Sequence, residues 1–241
     1  MRATNPRKAM KCGIFHTRVL VAVYSFLFMN PQDIDIIVGC EESQAITIEF
    51  RKRGFNAFSC DLQECSGGHP EWHLQMDLRE ALKLRKWHAG IFHPTCRFLS
   101  RAGARWLYVK GEINKERYAE GLKAKEFFME CLNADIEFVA VENPTPLKIY
   151  DLPKPSQWIE PWQFGHPYSK KTLLWLKGFP PLMATKIMSE YKPFLPSNTG
   201  GAKRGQKATF RNISQKDSSK TFSGVAEAIA TQWGSFLLNG Y

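Results

Sequence analysis

Ile34-Asp35-Ile36-Ile37-Val38-Gly39-Cys40-Glu41-Glu42-Ser43 is the stretch on which the fold turns. A β-branched run ends in glycine and then in polar residues, so it reads as a buried strand entering a tight connection. A helical segment follows from Gln44 to Arg53, with Ile46 and Phe50 four apart on one face. Ser43 is its expected N-cap and Gly54 closes it. Asn56-Ala57-Phe58-Ser59-Cys60 is a second short strand with Asp61 at its end. Strand, glycine turn, helix, strand and carboxylate make a βαβ opening. An acid in that place is where nucleotide-binding folds hold ribose hydroxyls. The three-glycine fingerprint of a dinucleotide site is absent, so the pattern points to a nucleoside-type cofactor.

Downstream, Leu74-Gln75-Met76-Asp77 reads as a third strand with another terminal acid, and Arg79 to Trp87 as a helix. The apolar run Ala89-Gly90-Ile91-Phe92 is a fourth strand, which leads into His93-Pro94-Thr95-Cys96-Arg97-Phe98-Leu99-Ser100. A cysteine on a loop leaving a buried strand sits where open α/β sheets carry their chemistry. Arg97 and Arg101 follow it and are expected to lower its pKa, since the thiolate is the nucleophile. Taken alone, Cys96 reads more readily as a small half-buried residue beside two surface arginines, and the order of the motifs around it is what favours a nucleophile. Cys60, Cys65, His69 and His73 are spaced C-x4-C-x3-H-x3-H, which is not a zinc signature. The expectation is an ordered loop beside a cofactor, with no metal.

Ala102 to Trp106 reads as a mobile loop. Lys115 to Asn133 is the longest helical pattern, with Tyr118, Leu122, Phe127 and Cys131 as its apolar stripe. Ile136 to Val141 is a fifth strand ending in Glu142-Asn143-Pro144, a carboxylate pinned at a strand end. A proline-rich connection after Tyr150 leads to a loop, Trp162 to Thr172, and a late strand, Leu173 to Gly178, half of a hairpin. Residues 192–220 hold Lys203, Arg204, Lys207 and Arg211 among Pro, Gly and Ser, as a flexible basic loop contacting phosphates would. Gly224 to Leu237 reads as an amphipathic helix, with Val225, Ile229, Trp233 and Leu237 four apart.

The 241 residues, 44% hydrophobic and 13% aromatic, suffice for a folded globule with a sizeable core. A net charge of +10 favours a polyanionic partner, most simply nucleic acid. Half of that charge lies in residues 1–28, which contain no acid. That segment couples a basic start to an apolar run too short to span a bilayer, and it lacks a small-residue cleavage site. It is expected to be an extension outside a single domain covering residues 29–241. Six irregularly spaced cysteines do not form a disulfide framework, which suggests reduced thiols, a cytoplasmic protein and no membrane partner.

In their order, these motifs resemble the DNA cytosine-5 methyltransferase family. Val38-Gly39-Cys40-Glu41 is similar to its cofactor turn, His93-Pro94-Thr95-Cys96 to its Pro-Cys nucleophile loop, with Ser100 beyond, and Glu142-Asn143-Pro144 to its Glu-Asn-Val motif. Phe164 to Thr172 resembles its late Tyr-Gly-Val-Pro-Gln-x-Arg-x-Arg stretch, and Thr221 to Ala226 its C-terminal motif. The resemblance covers roughly residues 34–178 and 221–234. It implies an α/β, Rossmann-like methyltransferase fold, with a mostly parallel sheet and helices on both faces. It further implies S-adenosyl-L-methionine as cofactor, held by Gly39, Cys40, Glu41, Asp61, Leu62, Asp77, Pro94 and Gly224. Cys96 would be the nucleophile on cytosine C6 and Glu142 the partner of N3. Asn143 would fix the turn, and Lys170 or Arg97 would place a cation at O2. The implied partner is DNA, whose target base must leave its stack. Thr95 stands where the family has proline, lysines stand for its late arginines, and the segment between Gly178 and Thr221 is short for a target-recognition domain. RNA or a nucleotide as substrate, and a non-catalytic nucleic-acid-binding role, therefore stay open alternatives.

Overall fold

The computed structural model describes residues 30–100, 106–194 and 219–239. The N-terminal extension, Ala102 to Arg105 and the basic residues Lys203, Arg204, Lys207 and Arg211 lie outside the described residues.

The chain opens as β1 (Asp35–Gly39), α1 (Ala45–Lys52), β2 (Asn56–Asp61), β3 (His73–Gln75), α2 (Leu78–Ala81) and β4 (Ala89–Phe92). A small hairpin, β5 (Tyr108–Val109) and β6 (Glu112–Ile113), leads to α3 (Lys115–Leu132) and β7 (Phe138–Asn143). Then come β8 (Gln157–Ile159), β9 (Tyr168–Ser169), β10 (Thr172–Lys177), β11 (Lys192–Pro193) and α4 (Ser223–Asn239). Seven strands form one sheet in the order β3-β2-β1-β4-β7-β10-β8. β3, β2, β1, β4 and β7 run parallel, and β10 lies antiparallel between β7 and β8. This is the expected Rossmann-like architecture, a mostly parallel sheet with a late antiparallel strand and helices on both faces, and β8 and β10 form the expected hairpin.

The central strands are apolar throughout because both faces are covered. On one face Ile36, Val38, Ala57, Ile91, Ala140 and Leu174 pack against Ile46 and Phe50 of α1 and against α4. On the other, Ile37, Cys60, Phe92, Val139, Val141 and Trp175 pack against α2 and α3. The α4 stripe is as expected: Val225, Ile229, Trp233 and Leu237 are all buried. Trp233 stacks on Phe179 with centroids 4.5 Å apart and donates its indole N–H to the Pro180 carbonyl at 2.9 Å. Each such burial contributes about 1.5–3 kcal/mol.

Two helices differ from the sequence expectation. The segment from Arg79 to Trp87 is helical only through Ala81, because Trp87 folds back and its indole N–H caps the Ala81 carbonyl at 3.1 Å. On α3 the buried stripe is Gly121, Ala124, Phe128 and Cys131, while Leu122 is exposed. The buried stripe faces Tyr150 and Trp175, and the sequence could not show which face that was. Among the described residues no helix is long and apolar enough to cross a membrane.

Candidate active site

The strand order reverses between β1 and β4, so a crevice opens beyond their carboxyl ends, where α/β sheets bind ligands. The His93 amide donates to the Gly39 carbonyl at 3.0 Å, so the two loops leaving these strands start from a joined edge. A Cβ on Gly39 would stand 2.7 Å from the Leu78 side chain and 2.8 Å from the Phe92 ring, so only glycine fits there.

The turn after β1 is glycine-poor, yet Cys40 and Gln44 both adopt left-handed backbone, each at φ 58°. That geometry costs about 1–2 kcal/mol per residue. Side-chain anchoring offsets it. The Gln44 amide donates to the His69 carbonyl (2.8 Å) and Ser59 Oγ (3.1 Å) and accepts from the His69 amide (3.0 Å). Ser43 is not the helix cap. Gln44 holds that position without a side-chain bond. The buried Glu41 carboxylate does the capping, accepting from the amides of Ile46 (2.6 Å) and Thr47 (3.3 Å) and from Thr47 Oγ1 (2.7 Å). Burial raises its pKa, opposed by the nearby His93 charge. Glu41→Ala strands these donors and is expected to cost about 1–3 kcal/mol, read as a lower urea midpoint at constant slope. An unchanged midpoint would mean that the helix end is satisfied otherwise.

Cys40 and Asp61, at the ends of β1 and β2, and Asp77, two residues past β3, lie within electrostatic reach of one another. Burial raises the Cys40 thiol well above its ordinary value, and the carboxylates of Asp61 and Asp77 add to this. Asp61 spends one oxygen on the Gln63 amide at 2.9 Å. Leu62 beside it is 71% exposed, an apolar side chain uncovered next to a strand-end acid. A carboxylate that can accept from ribose hydroxyls, next to bare apolar surface for a purine, is a set that fits a nucleoside. Asp77 ends no strand; it caps α2, accepting from the Arg79 amide at 2.8 Å.

The set Cys60, Cys65, His69 and His73 does not converge. His73 Nδ1 lies 2.8 Å from Ser59 Oγ and its Nε2 2.9 Å from the Gln63 carbonyl, while His69 stacks on Trp72. Among the described residues no group of three such side chains could hold a metal.

The loops after β4 and β7 are tied together. Asn143, fully buried, donates to the Pro94 carbonyl at 3.3 Å, and the Leu147 amide donates to the Leu99 carbonyl at 2.7 Å. This tie holds the Cys96 loop beside Glu142, and the pairing of β10 with β7 brings Lys170 to the same end. Glu142 is the fifth residue of β7, and Lys170 lies between β9 and β10, whose Leu174 pairs with Glu142. Burial would raise the Glu142 carboxyl, but His93 Nδ1 at 3.2 Å and the Lys170 charge outweigh it, so its pKa is lowered. Burial lowers the Lys170 ammonium, resisted by Glu142 and Cys96.

Cys96 is an exposed residue, but its sulfur is sheltered enough that burial, and then Glu142, raise its pKa, while Lys170 pulls it down. Among the described residues, Arg97 does not supply the expected lowering. The Arg97 guanidinium lies 5.6 Å over the Phe98 ring, Arg101 lies outside the described residues, and the cation facing the thiol is Lys170.

A cleft open to solvent adjoins this group. Its floor is apolar, from Ile91, Ala140, Leu174 and α4, and its rim carries His93, Glu142, Lys170 and Glu160. Gly224 belongs to this side and not to the Asp61 end. Its amide donates to His166 Nε2 at 3.0 Å, and a Cβ would fall 2.0 Å from the Phe164 carbonyl oxygen. His93 and Glu160 were given no role from sequence. The signal for His93 is its place as the first titratable residue past a fully buried strand.

No family model and no curated protein matches this sequence. Among solved structures the chain is similar to a prophage-encoded E. coli protein titled as a DNA modification methyltransferase (11% identity, TM-score 0.39, 59% of this chain and 46% of that one). It is also similar to the S. pombe Dnmt2 methyltransferase (13%, 0.37, 61% and 52%) and to the Entamoeba histolytica methyltransferase EhMeth (15%, 0.41, 64% and 57%). The chain spans about half the length of these structures.

Proposed function

We propose that this protein methylates C5 of cytosine in DNA, using S-adenosyl-L-methionine and a transient bond between Cys96 and C6. One observation carries this reading: a cysteine on the loop after β4, a carboxylate at the end of β7 and a lysine between β9 and β10 lie within electrostatic reach of one another at the carboxyl end of a Rossmann-like sheet, two of them lining one cleft. Cytosine C5 is a poor nucleophile until a thiolate adds to C6. As the Cys96 Sγ–C6 bond forms, the C5=C6 electron pair shifts through the ring toward N3. Glu142 meets N3 there, and Lys170 offsets charge at O2. Asn143 holds the Pro94 loop, and with it Cys96, against β7. S-adenosyl-L-methionine, when bound, supplies the electrophilic methyl group. The residues that would hold it are Gly39, Cys40, Asp61, Leu62, Asp77 and Pro94, with Glu41 fixing the turn they surround. Loss of the C5 proton and expulsion of Cys96 then restore aromaticity.

A nucleic-acid substrate is supported by surface chemistry beside the cleft. Residues 152–194 hold six lysines and two acids. Trp158 is half exposed with Lys171 Nζ 5.5 Å over its ring, and the half-exposed Tyr191 stacks on Trp162 at 5.1 Å. Aromatic rings among lysines are what splayed-out bases and phosphates require.

The test is incubation with the methyl-labelled cofactor and, in parallel, duplex DNA, single-stranded DNA and RNA, followed by mass spectrometry of the nucleosides. 5-Methylcytidine from RNA alone would move the substrate class, and methylation at any other atom would overturn the mechanism. For the cofactor, Asp61→Ala is expected to weaken S-adenosyl-L-methionine binding ten- to a hundredfold by calorimetry, since a charge-assisted hydrogen bond contributes about 1.5–3 kcal/mol. Unchanged affinity would remove Asp61 from the site.

A further inference from the structure

We propose that His93 is the positioning residue that stores the proton Glu142 delivers to cytosine N3, an inference that rests on the C5-methylation reading. His93 is held on both sides. Its amide is bonded to Gly39, and its Nδ1 stands 3.2 Å from Glu142 Oε2. Its Nε2 is buried without a hydrogen-bond partner among the described residues, and the side chain lines the cleft. A buried orphan of this kind costs free energy that a merely structural histidine would avoid.

The charges around the ring decide its state. Glu142 faces it from β7, Glu41 from the turn after β1, and Lys170 from the segment before β10. Burial disfavours the imidazolium, but the Glu142 bond and charge, and then Glu41, outweigh burial and Lys170, so the pKa of His93 is raised. The same pair lowers Glu142. The pair is thus biased toward a Glu142 carboxylate, which lacks the proton its role at N3 demands, and toward an adjacent imidazolium that holds it.

The step balances as follows. The Cys96 thiolate bonds to C6, and the displaced electron pair reaches N3. His93 passes its Nδ1 proton to Glu142 as Glu142 protonates N3, which leaves a neutral imidazole beside a carboxylate. After methyl transfer the C5 proton goes to solvent, the Sγ–C6 bond breaks, and the N3 proton returns through Glu142 to His93. No oxidant or further reactant is needed.

The sign of the pH dependence follows. A group with a raised pKa holds its proton below that pKa and loses it above, so the acid limb of the rate falls on the alkaline side of the ordinary histidine value. The Cys96 thiolate fraction rises in the same direction, so the wild-type profile is bell-shaped. His93→Gln keeps a donor to Glu142 but stores no proton. It is expected to lower the methylation rate ten- to a hundredfold, leave cofactor binding unchanged and show only the rising limb. Imidazole added to His93→Gly is expected to restore part of the rate.

A His93→Gln variant with the wild-type rate and bell would overturn the proposal. So would an equal loss at every pH without rescue by imidazole, since that is a packing defect. Nuclear magnetic resonance titration of the full-length protein, with His93 assigned through the variant spectrum, decides the matter even if no polymer is methylated. His93 should titrate above the free-imidazole range and drop in Glu142→Gln. An ordinary value unmoved by Glu142→Gln would sink the stored proton, whereas a coupled pair without any methylation would sink the methylation reading alone.

Discussion

Cys96→Ser is expected to cut methyl transfer by roughly four orders of magnitude or more, and to leave no covalent band with nucleic acid carrying 5-fluorocytosine. Fluorine at C5 cannot depart as a proton does, so an enzyme that adds to C6 is trapped after methyl transfer. The Cys96 thiol is raised by its sheltered position and by Glu142 and is held within range by Lys170. A serine hydroxyl starts several pKa units higher, on the order of the gap between an alcohol and a thiol, and has no dedicated base beside it. A denaturing gel with the fluorinated polymer and cofactor reads the outcome. A band that survives Cys96→Ser would move the nucleophile elsewhere.

Glu142→Gln is expected to slow the reaction by about 10²–10³-fold while cofactor affinity stays at the wild-type value. The substitution preserves shape and can still bond His93, so the fold should tolerate it. What it removes is the group that passes a proton to N3 as negative charge develops on the ring. The adduct with 5-fluorocytosine should still form, only more slowly, because Cys96 is intact. Single-turnover rates and calorimetry on one preparation separate the two quantities. Equal loss of cofactor affinity would place Glu142 in the cofactor site, and a wild-type rate would remove it from the chemistry.

Much of the site was legible because its residues stand at strand ends. Cys96, Glu142 and Asp61 each follow or close an apolar run, and such a run predicts its own end. The thiol's environment was not legible. Arg97 is adjacent in sequence, but its guanidinium goes to Phe98, and the cation that faces Cys96 is Lys170, more than seventy residues away. Likewise Ser43 has the right side chain for a cap, yet the left-handed Gln44 turns the chain so that Glu41 reaches the helix end instead.

The sequence alone determined the βαβ opening, the buried strands β4 and β7 and the α4 stripe. Those features depend on local periodicity and on glycine turns, which every folded context must respect. Tertiary structure alone decided which face of α3 is buried, where the helix after Asp77 stops, and that His93 lies between Glu41 and Glu142. These depend on pairings across the reversal of strand order, where β1, β4 and β7 bring distant loops to one edge, and no local pattern encodes that distance.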